Sequence, residues 1–293
     1  MKLSIILPCL NVKEKILNIY NELNEKLKNI KYELIFVDNN STDGTLDVMK
    51  ELYEKDMLHI KIISMQKEYS IDEIYYIGIK HANGEYICLD DISIEQSKLI
   101  EMFNYLENNQ EDVVILGIND NNKLINNLYD FRDKLFNMKL ERYTTKIRMF
   151  RNKVREYYLK YSECYSNLKG IFTLMNYKTK YLSLDKIINI RSKDVIKEIK
   201  KYRNEFSNKP FSFITLLAGC FLVISFIYLI VLLLIGNYSL NNFIIFLILL
   251  LTGILLIIGG IVSNEINNRV KEIKKNKIYI IKEKIGFEEN NIL

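Results

Sequence analysis

Two runs without a charged residue, Phe211–Ile235 and Phe243–Val262, constrain this chain more than anything else in it. They are 25 and 20 residues long. A helix rises about 1.5 Å per residue, so each run spans the roughly 30 Å hydrocarbon layer of a bilayer. Residues 236–242 give a short polar turn between them, Gly-Asn-Tyr-Ser-Leu-Asn-Asn. A buried hairpin in a soluble core is the alternative, and uncharged stretches of this length fit it poorly. The reading is a two-helix transmembrane hairpin, 211–235 and 243–262, with residues 1–210 before it and a tail at 263–293.

The charges beside the hairpin orient it. Lys200, Lys201, Arg203 and Lys209 precede it, and Arg269, Lys271, Lys274, Lys275 and Lys277 follow it. The turn carries no Lys or Arg. The positive-inside rule then puts both termini in the cytoplasm, with the protein in the inner, cytoplasmic membrane. The first apolar run, Leu3 to Leu7, stops at Pro8, so no secretory leader is expected. Four scattered cysteines without a C-x-x-C pair and only two histidines argue against a zinc site or a disulfide framework. Such thiols suit a reducing compartment.

The soluble part changes character midway. Residues 1–120 carry 12 Lys and 22 acidic residues, net −10; residues 121–209 carry 22 basic and 9 acidic residues, net +13. A basic neck leading into a membrane segment suggests a surface facing anionic lipid rather than nucleic acid.

In the acidic part, apolar runs at 3–7, 34–37, 60–64, 86–89 and 113–116 read as strands. Helical spacing fills the gaps: Ile16, Ile19, Leu23 and Leu27; Leu46, Met49, Leu52 and Tyr53; Ile74, Tyr75, Ile77 and Ile79; Leu99, Met102, Phe103 and Leu106. Alternation at this length implies a doubly wound, mostly parallel α/β sheet over 1–120. Leu34–Val37 runs abruptly into Asp38-Asn39-Asn40-Ser41-Thr42-Asp43-Gly44. Ligands of open α/β sheets sit at the carboxyl ends of strands, and Asp38 occupies that place. Its carboxylate can accept from a nucleobase or ribose, while Asn and Gly suit the positive φ of a tight turn. An ordinary βα turn is the competing reading.

This stretch resembles the V-D-D-G-S-x-D-x-T segment of inverting family 2 glycosyltransferases, and Ile5–Asn11 resembles that family's first strand and P-x-x-N-E loop. Phe206-Ser207-Asn208-Lys209-Pro210-Phe211 is similar to the F-S-x-K-P-L entry of polyprenyl- or dolichol-phosphate sugar transferases, and Lys277–Phe287 to their ending. The resemblance implies a GT-A (Rossmann-like) fold, a nucleotide-sugar site at Pro8, Asn11, Asp38, Asn39, Ser41 and Asp43, and a D-x-D pair holding Mg or Mn on the donor diphosphate. Here Asp90 and Asp91 are adjacent and Ile92 follows. Residues i and i+2 of an extended chain share a side, whereas i and i+1 do not. One of the two is therefore expected to serve the metal and catalysis, and the other to cap a helix from about Ile94.

Other positions depart too. Val12 replaces a Glu, Asn39 a second Asp, and Asp120 an Arg, and no Arg-Asn-x-Gly loop is found in Gln66–Ser70. Gly170–Asn176 faintly resembles D-F-R-L-x-D, with Thr173 for Arg and Asn176 for Asp. From Ile118 to Lys169 there is neither Gly nor Pro, and apolar steps of three and four read as one or two helices. A basic helical region is thus expected over 121–185, its Lys and Arg face solvated. A juxtamembrane amphipathic helix is expected over 186–210, lying at the membrane or packed on the globular part.

Together these readings imply a membrane-anchored hexosyltransferase of the cell envelope. Its donor would be a nucleotide-sugar, its acceptor a polyprenyl (undecaprenyl-type) phosphate drawn by Lys209 and Arg203. Self-association is left open, and no nucleic-acid partner is expected. The alternative is an accessory or scaffold protein that kept the fold and lost turnover, since the altered positions are mostly charged ones.

Overall fold

Buried on both faces, the five apolar runs of the N-terminal part are strands in the computed structural model. It describes residues 1–91, 97–118, 122–136, 139–162, 167–184, 190–206, 210–236, 239–275 and 279–287. The chain divides into two units, Met1–Glu205 with Ile278–Leu293, and Phe206–Lys277.

In the first unit the elements are β1 (Leu3–Cys9), α1 (Lys13–Lys26), β2 (Tyr32–Asp38), α2 (Thr45–Lys55), β3 (Ile60–Met65), α3 (Ile71–His81), β4 (Tyr86–Leu89), α4 (Ser97–Asn108), β5 (Val113–Ile118), α5 (Lys123–Phe136), β6 (Thr144–Arg151), α6 (Asn152–Ser162), α7 (Leu168–Met175), β7 (Thr179–Leu184) and α8 (Ser192–Phe206). A last strand, here β8 (Ile281–Ile285), follows the second unit. The sheet runs β7-β5-β6-β4-β1-β2-β3-β8. β1 pairs in parallel with β2 and β4, β2 with β3, and β5 with β7. β6 runs antiparallel between β4 and β5, and β8 runs antiparallel to β3.

The two-residue period of a strand sorts the core. Leu3, Ile5, Leu7 and Cys9 face α1, α2 and α4 residues such as Ile16, Met49 and Met102. Ile6, Ile35, Val37, Ile87 and Leu89 face the other side, with Ile74 and Ile77 of α3, Val154 of α6 and Ile171 of α7. Burial on both faces explains why the strands read as unbroken apolar runs. Pro8 is tolerated in this inner strand because the β1·β4 ladder has already ended at Ile6↔Leu89.

The basic neck is only partly helical. Residues 144–151 form β6, not part of a long helix, and its Ile147 and Met149 join one core while Phe150 joins the other. A strand explains what helical spacing could not, because Lys146 and Arg148 alternate with apolar residues. Gly170–Asn176 lies in α7 and its C-cap, where Ile171 and Phe172 are buried. The arginine beside the β4 tip is Arg148, paired with Leu89. α8 packs its apolar stripe on the globular part, with Val195 buried against Ile125 and Tyr129 of α5.

The second unit holds α9 (Pro210–Ile235) and α10 (Leu240–Lys275). Leu217–Ile235 and Leu240–Val262 are long and apolar enough to cross a membrane. Gly253 allows close approach: a Cβ there would lie 2.7 Å from the Leu222 side chain of α9. α10 continues as helix past Val262, and the expected tail begins inside it.

Candidate functional site

Two loops at the carboxyl ends of β1 and β2 are laced together. The backbone N–H of Asn11 donates to Ser41 Oγ (3.0 Å), that of Val12 to Thr45 Oγ1 (2.9 Å) and that of Lys13 to Asp43 Oδ2 (3.1 Å). In return Thr42 N–H donates to Asn11 Oδ1 at 2.9 Å. The turns need left-handed backbone, supplied by Asn11 (φ 52), Asn40 (φ 65) and Gly44 (φ 86). Asp43 is a loop tie: it also accepts from Thr45 N–H and Oγ1, and these bonds hold its carboxyl below the usual range.

Asp38 is 1% exposed. Its Oδ1 accepts from Ser41 N–H at 3.2 Å and its Oδ2 from Ser64 Oγ at 3.1 Å. A carboxylate has about four lone-pair positions, so these two bonds leave acceptor capacity. Asn39 turns the other way and clasps Tyr69 on the β3–α3 loop, accepting from its N–H (2.8 Å) and donating to its carbonyl (2.9 Å). The C-terminal segment braces the same loop. Tyr279 packs between Tyr69 and Tyr76, and Ile280 N–H donates to the Tyr69 hydroxyl at 3.0 Å.

Strand order reverses between β1 and β4, where β2 lies to one side and β6 to the other. The acidic pair stands at this switch point, the usual ligand crevice of open α/β sheets. Asp90 is buried and accepts from Asp91 N–H at 2.8 Å, whereas Asp91 is exposed. Both lie just past the end of β4. Whether either caps a helix lies outside the described residues, as do Ile92, Asp120 and Lys209; the Arg203 side chain lies outside them too. Among the described residues no three His, Cys, Asp or Glu side chains are grouped to hold a metal. The thiols of Cys9 and Cys88 are pushed well up by burial and by Asp38 and Asp90, respectively, and are inert as nucleophiles.

Sequence reasoning missed the charged wall beyond β4. Arg148 is fully buried, donates to both oxygens of Glu141 (3.2 and 3.3 Å) and lies 4.5 Å over the Phe172 ring. Arg132, equally buried, reaches Asp133, Glu198 and the carbonyls of Leu140 and Glu141. These arginines are structural members of the fold rather than a solvated face. The alternation Ile147-Arg148-Met149 was the available signal. A cavity of about 530 Å³ opens nearby, lined by Glu141, Arg142, Phe172, Thr173, Tyr177 and Tyr181, among others.

Residues 4–167 match the profile described as Glycosyl transferase family 2, more than half of the chain, and the chain belongs to that family. It is 29% identical over 106 residues to a dolichol-phosphate mannosyltransferase of Pyrococcus furiosus, a match covering 34% of this chain and only 30% of that relative. Over 96% of its length it is 24% identical to a prophage bactoprenol glucosyl transferase homolog of Escherichia coli, 99% of which is covered. Among solved structures, glucosyl-3-phosphoglycerate synthase of Mycobacterium tuberculosis superposes with a TM-score of 0.50 at 12% identity, covering 70% of this chain and 78% of that one. That similarity is one of fold. The GT-A-type sheet expected from the sequence is the one observed, and some relatives bear polyprenyl-phosphate names.

Proposed function

We propose that this protein is a membrane-anchored, inverting glycosyltransferase that moves a sugar from a nucleotide donor to a polyprenyl phosphate at the cytoplasmic face. One observation carries this reading: Asn11, Asp38, Ser41 and Asp43 meet in one laced pair of loops beside the switch point that holds Asp90 and Asp91. Asp38 would receive hydrogen bonds from the nucleobase or ribose through its remaining lone pairs. Asp90 or Asp91 would hold a Mg or Mn ion, and one carboxylate suffices because Mg takes one or two from protein and the rest from substrate phosphates and water. Bound there, the ion would supply charge neutralisation to the departing diphosphate.

In the transfer, an acceptor phosphate oxygen forms a bond to the anomeric carbon as the bond from that carbon to the diphosphate oxygen breaks on the opposite face. A phosphate acceptor is already ionised, so positioning and charge stabilisation carry more of the work than a strong base. The two candidate spans would anchor the site. The chain leaves the sheet unit at Glu205 and re-enters it at β8, which pairs with β3, so an even number of crossings returns it to the side it left. The Lys and Arg flanks favour the cytoplasm for that side.

The adjacency of Asp90 and Asp91, with Thr173 and Asn176 where the resemblance has Arg and Asp, favours a second reading: a relative that binds nucleotide without turnover. Titration of the full-length protein in detergent with UDP and GDP, with and without Mn²⁺, separates them. Metal-dependent binding that disappears in Asp38→Ala, together with lipid-linked sugar formation, supports the enzyme. Binding without product supports the accessory role, and unchanged affinity in Asp38→Ala removes the site.

A further inference from the structure

Beside the acidic pair, two lysines from separate elements converge on one sealed carboxylate, and a third lysine stands close to the first. Asp72, in the first turn of α3, is 4% exposed. Lys146 of β6 reaches its Oδ1 at 2.6 Å, and Lys201 of α8 pairs with its Oδ2. Lys169 of α7 donates to the carbonyl of Thr144, two residues from Lys146. After Asp72, the charges that Lys146 feels most are those of Lys201 and Lys169. The group borders the β4 tip, because Tyr75, one turn after Asp72 on α3, bonds the backbone of Asp90.

We propose that Lys146, Lys169 and Lys201 form a phosphate-binding site organised by Asp72. A structural ion pair needs one ammonium per carboxylate; here two face one, and the Lys169 ammonium lies beside them. The surplus is one positive charge around Asp72 and another on nearby Lys169, held together at the cost of mutual repulsion. A phosphate group carries roughly 1.5 to 2 negative charges near neutral pH and would balance it. The carboxylate is sealed, yet the side chains of Lys146 and Lys201 remain 37% and 40% exposed, so their further N–H donors are open to a ligand. Asp72 fixes both ammonium groups in advance, which lowers the entropy lost on binding. Burial pushes the Asp72 carboxyl up, but its two lysines outweigh that and hold it ionised below the ordinary range. The ligand is a phosphate, either the lipid monophosphate or the diphosphate of a nucleotide; only this choice rests on the transferase reading.

The test uses full-length protein in detergent without divalent metal, and three probes: inorganic phosphate, UDP, and phosphatidylcholine vesicles carrying polyprenyl phosphate. Lys146→Gln and Lys201→Gln are each expected to weaken phosphate binding at least tenfold, with Lys193→Gln, an exposed lysine of α8, as the unchanged control. Loss on the vesicles assigns the lipid monophosphate, loss with UDP assigns the diphosphate, and either supports the site. Equal binding of all three probes by the Lys146→Gln/Lys201→Gln double variant overturns it. Should those variants fold poorly, acylation of the wild-type lysines reads the same contact: a probe that fails to protect Lys146 and Lys201 overturns the site. Asp38→Ala separates the two readings. Loss of UDP binding there, with the lysine variants unaffected, removes this site and keeps the transferase. A wild type that binds phosphate through these lysines and never binds a nucleoside diphosphate does the reverse.

Discussion

Tyr75 donates its hydroxyl to the backbone carbonyl of Asp90 at 2.9 Å. The bond ties the N-terminal half of α3 to the tip of β4, where the acidic pair begins. Burial, and then the carboxylates of Asp91 and Asp90, push the phenol well above its usual pKa, so it stays a donor at any physiological pH. Tyr75→Phe removes that donor from a buried carbonyl and is expected to cost about 1–3 kcal/mol. Thermal melts in detergent should show the loss, and UDP affinity should weaken with it because the β4 tip is no longer fixed. An unaltered melt would mean that the bond holds nothing.

Gly78→Ala tests how closely α3 lies on the sheet. Helix propensity predicts a gain of about 0.8–1 kcal/mol for replacing an interior glycine with alanine. A Cβ at Gly78, however, would stand 2.3 Å from Ile6 Cγ2 on β1. Overpacking of this kind costs about 1–3 kcal/mol, so the net effect is destabilising. Denaturant titration gives the sign directly, and a more stable variant would contradict the packing.

Glu141→Ala leaves the buried Arg148 guanidinium without its carboxylate. Removing one partner of a buried pair costs about 3–5 kcal/mol, whereas a surface pair is worth no more than about 1 kcal/mol. Melting of Glu141→Ala beside Glu265→Ala, whose partner Arg269 is exposed, should separate the two regimes. Similar shifts in both would argue that Arg148 is solvated after all.

His81 makes the fold sensitive to mild acid. Burial foremost, and then Lys284, Lys80 and Arg155, lower its imidazole from 6.5 to about 4. Above pH 6.5 the ring is neutral in both states. Between 6.5 and 4 the unfolded chain binds a proton that the folded chain refuses, so stability falls as pH falls through that window. His81 also packs on Phe287, just after β8, so the penalty falls on the docking of the C-terminal segment. The melting temperature should drop more from pH 7.5 to pH 5 in the wild type than in His81→Gln. Parallel drops would refute the assignment.

Much of the site could be read from local pattern. The run Leu34–Val37 breaking at Asp38, and Pro8 followed by Asn11, announced two strand ends, and the loops they lead into do meet. The contacts that join them, such as Asn11 with Ser41 and Lys13 with Asp43, each cross 30 residues and left no mark in spacing. β6 escaped because Leu140, Tyr143, Ile147 and Phe150 satisfy steps of three and four as well as a strand does. β7 and β8 escaped because polar and charged residues interrupt them, Thr179, Lys180 and Ser183 in one and Lys282, Glu283 and Lys284 in the other, as suits the strands that end a sheet.

Periodicity and length were enough for the alternating α/β plan, the two uncharged spans and the position of Asp38, since each depends on neighbours within a few residues. Only the folded chain decided that α8 packs on α5, that the segment after the hairpin closes the sheet against β3, and that Asp72 collects lysines from positions 146 and 201. Those outcomes depend on which distant surfaces meet, and burial and charge pairing are settled by that meeting rather than by local order.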